Sequence, residues 1–134
     1  MALRFEREEW PLVRIRWPDA LADSDLDHFE KESNADLGHA DVHCILHLSD
    51  SKIGLSPAQR KRMADFLAQN EGRIRRASAG VAIVTPSAII RGMITAVSWL
   101  TGTPCPQKTF SNELEARAWL GEMYAAKTGK VATF

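Results

Sequence analysis

Short stretches in which apolar residues alternate with polar ones, or follow one another without interruption, recur along the chain and predict β-strands. The alternating stretch PLVRIRW (11–17) predicts a strand with one polar face, and the preceding ALRFER predicts a short partner strand in a hairpin. VHCILHL (42–48) and GVAIV (80–84) are apolar on both sides, as expected for strands covered on both faces. QKTF (107–110) predicts a short strand near an edge of the sheet.

Between these strands lie stretches with apolar residues at helical spacing, which predict four helices. We expect Ser24 to cap the first helix, with Leu26 and Phe29 facing inward. The second helix is predicted over Pro57–Asn70, after which RIRRAS leads out of it. The last helix is predicted within SNELEARAWLGEMYA (111–125), whose acidic start suits the positive end of the helix dipole.

The third predicted helix is the most apolar. Thr85 is expected to cap it, and Pro86 to occupy its first position. Its apolar residues cover most of its circumference, so we predict that it is the most buried helix; they are Ile89, Ile90, Met93, Ile94, Val97 and Leu100.

The order of these elements predicts an α/β fold. Two strands followed by alternating helices and strands indicate a mixed, mainly parallel sheet of four or five strands, joined by right-handed crossovers and covered by about four helices. We expect a single domain over 1–134 with its core at about 10–124. The tail 125–134 is predicted to be flexible, although Val131 and Phe134 are able to dock.

Composition narrows the class of protein further. The chain has 134 residues, 45% hydrophobic and 25% charged, with 17 bases against 17 acids, so no global field attracts nucleic acid or an anionic membrane. The longest apolar-rich stretch, AIIRGMITAVSWL, has 13 residues, whereas a membrane span needs roughly 20. The N-terminal stretch of the chain lacks the apolar core of a signal peptide. The chain has two cysteines, which do not indicate a disulfide framework. We therefore expect a cytoplasmic protein.

Charge is nevertheless segregated along the chain. Residues 19–41 carry a balance of −7, with eight acids against one lysine, and residues 52–76 carry +5, with seven bases against two acids. This pattern indicates either a basic surface for a partner or two solvated helices that attract each other. Because no aromatic residues are interleaved with the bases, a partner protein is favoured over nucleic acid. Arg60 and Lys61 are the predicted partner surface.

His43, Cys44 and His47 resemble a metal site in composition alone. On a strand, the two histidines share one face but lie roughly 13 Å apart, and Cys44 points to the other face. One metal ion cannot bind both histidines, so we predict no metal and no cofactor. The histidines remain candidates to line a groove beside a helix and to titrate near neutral pH. The chain has no G-x-S-x-G, glycine-rich phosphate loop, H-E-x-x-H or C-x-x-C sequence, and we assign no catalytic residue.

The segment LSDSKIGLSPAQRKRM (48–63) contains the start of a helix and, before it, three polar residues that helix capping does not explain. Ser56 and Gln59, with Pro57 between them, form a capping box. Ser49, Asp50 and Ser51 follow the carboxyl end of a predicted central strand, the edge at which α/β sheets bind ligands. The free amides of the next helix are suited to holding an anion or a phosphorylated side chain there.

From about residue 10 to 122 the chain resembles STAS domains, and in particular small stand-alone bacterial proteins called SpoIIAA-like. The resemblance rests on the ββαβαβαβα order, on HLSDSKIGLS before a helix, and on GVAIVTPSAIIRGMITAVSWL followed by KTFSNELEARAWL. It implies a non-enzymatic regulatory domain in which a serine of an Asp-Ser-Ser-Gly-Leu-like turn is phosphorylated. Here Asp50, Ser51, Gly54 and Leu55 match, whereas Lys52-Ile53 stands where the second serine would be.

Three interpretations of the function remain open. The first is a regulatory module that binds a partner protein and is switched at Ser51; its contact surface is the loop after the second long strand and the basic helix that follows. The residues assigned to this loop are Ser49, Asp50, Ser51, Lys52 and Gly54. The second is a small-ligand or lipid-binding module with an apolar pocket beside the Ile89–Leu100 helix. The third is an enzyme. The sequence leaves open whether the chain forms a homodimer.

Overall fold

Five strands form one sheet in which the order across the sheet is the order along the chain. The computed structural model describes residues 2–49 and 55–134, without the side chains of 97–101. The strands are β1 (Arg4–Glu6), β2 (Leu12–Arg16), β3 (His43–Leu48), β4 (Ser78–Val84) and β5 (Gln107–Phe110). Only β1 is antiparallel to its neighbour among these described strands, and the other pairs are parallel. The predicted hairpin, the central strand at 42–48 and the edge strand QKTF are confirmed.

Five helices are described rather than four: α1 (Asp23–Leu37), α2 (Pro57–Gln69), α3 (Glu71–Ala77), α4 (Ala88–Thr101) and α5 (Glu113–Thr128). The additional helix, α3, forms where the sequence predicted only a segment leading out of α2. Asn70 separates the two: its side-chain amide donates to the Phe66 carbonyl at 2.8 Å, and its own carbonyl accepts from the Ile74 amide at 2.9 Å. One residue thus ends α2 and starts the next helix in a new direction.

The sheet divides the core into two layers. One face carries Val13 and Ile15 and is covered by α1, α2 and α3, with α4 reaching the same side. The opposite face carries Leu12, Cys44 and Leu46 and is covered by α5. This alternation along β2 and β3 follows from the two-residue period of a strand. Both faces of the central strand are therefore buried, as its continuous apolar pattern predicts.

Two predicted helix starts are wrong and one is confirmed. Helix α1 begins at Asp23, so Ser24 lies inside its first turn. Helix α4 begins at Ala88 rather than at Pro86, and Ser87 caps it by accepting a hydrogen bond from the Ile90 amide at 3.2 Å. The predicted capping box at the start of α2 is present, with reciprocal hydrogen bonds between Ser56 and Gln59.

Helix α4 is not the most buried helix over the residues whose side chains are described. Ile89 is 77% exposed and Met93 is 63% exposed, whereas Ala116 and Leu120 of α5 are fully buried. The reason is position: α4 packs chiefly on β5, the edge strand, while α5 lies across the central strands. An apolar circumference therefore meets too little neighbouring surface at the edge of the sheet to be covered.

The C-terminal segment is more ordered in its first part than the sequence suggested. Helix α5 continues to Thr128 and ends at Gly129, whose φ of 73° is the left-handed conformation that glycine adopts easily. Phe134 packs against Tyr124 with ring centroids 5.8 Å apart, so it docks, whereas Val131 is 92% exposed and does not.

In the described ranges, no helix is both long enough and apolar enough to cross a membrane.

Candidate functional site

A cavity of about 340 Å³ lies between the sheet and the helices on the α1 side. Its floor is formed by β2, β3 and β4 through Val13, Ile45 and Val81. Side chains of all four covering helices form the walls; they include Phe29, Leu37, Met63, Phe66, Leu67, Ile74, Ile90 and Ile94. The cavity thus lies beside α4, where the second interpretation of the sequence placed an apolar pocket.

His43 lies at one end of the cavity, at the start of β3. It is fully buried, it pairs in register with Ser78, and its ring stacks on Trp10 with centroids 5.3 Å apart. Neither ring nitrogen makes a hydrogen bond of good geometry within the described part of the chain, but the Asp41 backbone lies close enough to act on the ring. Burial lowers the pKa of His43, although the charge of Asp36 and the backbone of Asp41 oppose the shift. The imidazole is therefore neutral at physiological pH.

Asp36 lines the same end of the cavity and is held by an ion pair. Arg7 donates from Nε to Oδ1 at 2.8 Å and from a terminal nitrogen to Oδ2 at 3.2 Å, and it also pairs with Glu32 at 3.1 Å. Burial acts to lower the pKa of Arg7, but hydrogen bonds and charge from the two carboxylates raise it overall. The guanidinium of Arg7, which lies near His43, is therefore already paired with two carboxylates.

His47 lies further along β3 on the same face, and its environment differs. Nδ1 accepts a hydrogen bond from Trp17 Nε1 at 2.9 Å, and the two rings are tilted with centroids 5.7 Å apart. Because an indole nitrogen only donates, Nδ1 carries no proton, and the neutral ring is protonated at Nε2. Burial lowers the pKa of His47 to about 4. Ser49 and Thr85 line this end of the cavity too.

The strand geometry predicted for the histidines is confirmed, and the predicted titration near neutral pH is wrong for His47. His43 and His47 line one cavity, and Cys44 lies in the opposite layer, where burial raises the pKa of its thiol to about 12. Burial lowers the pKa of both histidines, and the pKa of His47, about 4, lies well below neutral pH. In the part of the chain that the structure describes, no three residues of the types that ligate metals come together.

The predicted regulatory loop is described only at its two ends. Ser49 lines the cavity, and its amide donates to the Val84 carbonyl at 3.1 Å, which ties the end of β3 to the end of β4. Asp50, Ser51, Lys52 and Gly54 lie outside the described residues. The assignment of these four residues to a binding loop therefore stays a prediction.

Basic side chains of α2 and α3 face the acidic helix α1. Arg62 of α2 pairs with Asp27 and Glu30 of α1, and Arg73 of α3 donates to Asn34. This is the arrangement of two adjacent, oppositely charged helices that attract each other.

The two residues of the predicted partner surface make more local contacts. Lys61 is exposed and pairs with Asp65 of its own helix at 2.8 Å. Arg60 is also exposed and donates to the Leu55 carbonyl at 3.0 Å. Whether they form a partner surface stays a prediction.

Two residues that help to form the site were not predicted from the sequence to lie there. Trp17 was assigned only to a strand, yet it directly follows β2 beside His47 and donates a hydrogen bond to that imidazole. Phe66 lines the cavity from α2 and packs on Phe29 with ring centroids 5.6 Å apart. The alternation of PLVRIRW already placed Trp17 on the Val13 and Ile15 face, which is the signal that could have found it.

Comparisons with known proteins point to one family. A family model described as SpoIIAA-like matches residues 12–121. A solved structure, described as an uncharacterised protein from the DUF3478 family with a SpoIIAA-like fold from Shewanella loihica PV-4, superposes with a TM-score of 0.66 at 19% identity. The match covers 89% of this chain and 92% of that one, and at this identity it shows the fold alone. No curated protein matches the chain.

Proposed function

The chain belongs to the SpoIIAA-like family, and on that premise we propose that it is a non-enzymatic regulatory module that holds a small, largely apolar molecule in the cavity. The observation that carries this proposal is the cavity itself, about 340 Å³ between the sheet and the helices of one layer. Ligand pockets typically occupy roughly 300–1,000 Å³ and are lined mainly by apolar side chains. An engineered apolar cavity of about 150 Å³ already binds benzene, so a molecule of two fused rings is a reasonable size here.

The cavity departs from ordinary core packing. Protein interiors are packed as densely as organic crystals and contain few voids larger than a water molecule. Here the described helices leave space over the sheet face between Val13 and Val81, and α4 packs chiefly on the edge strand β5. Leu67, on the α2 side of this gap, is 43% exposed. A ligand that enters between α2 and α4 would complete the packing that the helices leave unfinished.

The polar groups around the cavity support binding rather than catalysis. The Nδ1 atom of His47 is occupied by Trp17, and the carboxylate of Asp36 is occupied by Arg7. A catalytic histidine needs a hydrogen bond to the group that it deprotonates. Nδ1 of His47 is thus taken by the indole of Trp17 rather than by a hydroxyl or thiol that it could deprotonate.

A cavity-filling variant tests the proposal. Val81→Phe places a larger side chain on the cavity floor, and Ile89→Phe places the same side chain on the exposed side of α4 as a control. Native mass spectrometry of freshly purified protein and thermal shift with naphthalene derivatives are the measurements. We expect wild type and Ile89→Phe to bind and Val81→Phe to lose binding. No bound mass and no thermal shift in wild type would refute the proposal.

A second candidate function is regulation of a partner protein through the loop after β3. Its support is that this loop begins at Ser49, which lines the cavity, and leads to the exposed Arg60 and Lys61 on α2. A ligand in the cavity would then contact the base of the partner surface. Ser51 is the proposed phosphorylation site within this loop.

Phosphomimetic substitution tests this second candidate. Ser51→Asp and Ser51→Ala should recover partner proteins with different affinity in quantitative pull-down experiments, because a negative charge before the α2 N-terminus changes the field of the surface. Lys61→Gln, a change of charge one turn into α2, serves as the control for the surface itself. Equal recovery of every partner by both Ser51 variants would remove Ser51 as a switch.

A further inference from the structure

The end of the cavity at His47 carries a hydrogen-bond donor whose position is set by Trp17. Nδ1 of His47 accepts from Trp17 Nε1 at 2.9 Å, so the proton of the neutral ring is on Nε2. Burial lowers the pKa of His47 to about 4, so near neutral pH the Nε2–H group is a donor without a charge. Within the described ranges, the bond from Trp17 is the one hydrogen bond of this ring.

The fold directs this N–H group away from Trp17 and into the layer between the sheet and the helices. Nε2 is the ring nitrogen farther from the backbone, and it lies on the side of the ring away from Nδ1. Trp17 directly follows β2, whereas β4 pairs with the other side of β3 and places Ile83 opposite His47. His47 lines the cavity and keeps accessible surface, whereas His43 keeps none. The donor is therefore directed toward the cavity wall beside β4.

Thr85 adds a hydroxyl group to that wall. It directly follows β4, is buried and lines the cavity. Its Oγ1 accepts from the Ser87 amide at 3.4 Å, so the hydroxyl proton remains available as a donor. A carbonyl oxygen has two lone pairs and accepts from an N–H and an O–H group together. The two donors therefore match a carbonyl oxygen.

The charges around the cavity favour an uncharged acceptor over an anion. Among the described residues, no lysine or arginine lines the cavity, and the carboxylate that does, Asp36, pairs with Arg7 near His43. Arg91 lies close to Thr85, but it donates to the Thr85 carbonyl at 2.7 Å and does not line the cavity. Burying a charge without a paired countercharge costs far more than burying a hydrogen-bonded neutral group.

We propose that the ligand is an uncharged carbonyl compound, a ketone or ester with an apolar body, whose carbonyl oxygen accepts from His47 Nε2–H and from the Thr85 hydroxyl while its body lies over Ile45 and Val81. This inference rests on the proposed function, because it presupposes that the cavity binds a small molecule. It adds the class of ligand and the two residues that recognise it.

Three probes with the same two-ring body separate the parts of this proposal: acetylnaphthalene, isopropenylnaphthalene and naphthoate, measured by isothermal titration calorimetry near neutral pH. The first two have the same shape, and only the first has a carbonyl oxygen. We expect acetylnaphthalene to bind about two- to tenfold more tightly than isopropenylnaphthalene, the range that one net hydrogen bond supplies. Naphthoate should bind most weakly. If none of the three binds, the proposed function fails; if they bind without preference for acetylnaphthalene, or if naphthoate binds most tightly, only the present inference fails.

Substitutions assign the preference to a residue. His47→Phe keeps a flat ring but removes the Nε2–H group, so most of the preference for acetylnaphthalene should be lost. Thr85→Val keeps the shape of the side chain without its hydroxyl group and should lower the preference. His43→Phe is the matched control, because His43 lines the same cavity from the same strand but is fully buried, and it should retain the preference. A full preference in His47→Phe, shown by circular dichroism to be folded, would overturn the proposal.

A measurement on the wild-type protein keeps the test independent of the folding of the variants. In protein labelled with ¹⁵N in its histidine rings, Nε2 of His47 should have the chemical shift of a protonated nitrogen. Its proton signal should move further downfield with acetylnaphthalene than with isopropenylnaphthalene, because only the first accepts a hydrogen bond. The ring signals of His43 are the internal control and should respond alike to both probes. Equal movement of the His47 signal with both probes would contradict the assignment.

Discussion

Trp17 Nε1 donates a hydrogen bond to His47 Nδ1 at 2.9 Å, joining the end of β2 to β3 across one face of the sheet. The bond selects one neutral form of the imidazole, since an indole nitrogen can only donate. It therefore distinguishes two histidines that the sequence presents as equivalent. Nδ1 of His47 is paired with Trp17, whereas His43 is enclosed between Trp10 and the start of β3.

Removing this hydrogen bond should destabilise the fold. Trp17→Phe leaves Nδ1 of His47 without its donor, and we expect a loss of about 1–3 kcal/mol in the free energy of unfolding in urea. Trp119→Phe, which removes the same indole atoms beside Phe110 on the other face, should cost less. A double-mutant cycle with His47→Leu should show coupling of about 0.5–3 kcal/mol. Additive single effects would mean that the bond does not contribute.

Stability should fall on acidification before the carboxylates are protonated. The pKa of His47 is about 4 in the folded protein against an ordinary value of 6.5, so between these values the unfolded state binds one more proton. The contribution is fully present above pH 6.5 and is lost as pH falls toward 4, by roughly 3 kcal/mol in total. The lowered pKa of His43 acts in the same direction.

A variant separates this effect from general acid unfolding. His47→Gln retains an acceptor for Trp17 but does not titrate, so its free energy of unfolding should depend less on pH between 4 and 6.5. Urea titrations at several pH values within this interval provide the measurement. Identical slopes in wild type and His47→Gln would show that His47 does not cause the loss.

Two glycines should respond to substitution with opposite signs. A Cβ atom at Gly80 would lie 3.3 Å from Met123 Cβ and 3.5 Å from a methyl group of Leu120, so Gly80→Val overpacks the contact between β4 and α5. We expect a loss of about 1–3 kcal/mol. At Gly72 in α3 nothing lies within 4 Å, and Gly72→Ala should stabilise by about 0.4–1 kcal/mol. Equal effects in urea unfolding would contradict this packing.

The exposed side of α4 should tolerate polar substitution. Ile89→Gln and Met93→Gln change side chains that are 77% and 63% exposed, so each should alter the free energy of unfolding by less than about 0.5 kcal/mol. Ile90→Gln, on the side of the same helix that lines the cavity, should cost about 1 kcal/mol or more because it places an amide against apolar walls. Large losses at Ile89 and Met93 would indicate that α4 packs more deeply.

Much of the fold follows from local pattern. The strands at 42–48 and 80–84 are recognisable because a central strand of a parallel sheet must be apolar on both faces. The start of α2 is recognisable because Ser56 and Gln59 satisfy each other's backbone groups within four residues. The common face of His43 and His47 follows from the pleat of a strand. These features depend on neighbours in the chain, which a sequence displays directly.

Other features depend on neighbours in space. The apolar circumference of α4 predicts burial, but the surface available to cover it is set by its place over the edge strand β5. The pKa values of the two histidines depend on their burial in the packed domain, and the bond from Trp17 depends on the register between β2 and β3. The cavity depends on how side chains from three strands and four helices meet, which no local pattern encodes.

The sequence by itself therefore determined the order of the strands and main helices, the class of the fold and the face on which each strand residue lies, because hydrogen bonding and side-chain periodicity act over a few residues. The tertiary structure decided which apolar side chains are covered, and which histidine accepts a hydrogen bond from Trp17. Both outcomes depend on the distances between elements far apart in the chain, and packing of the whole domain sets those distances.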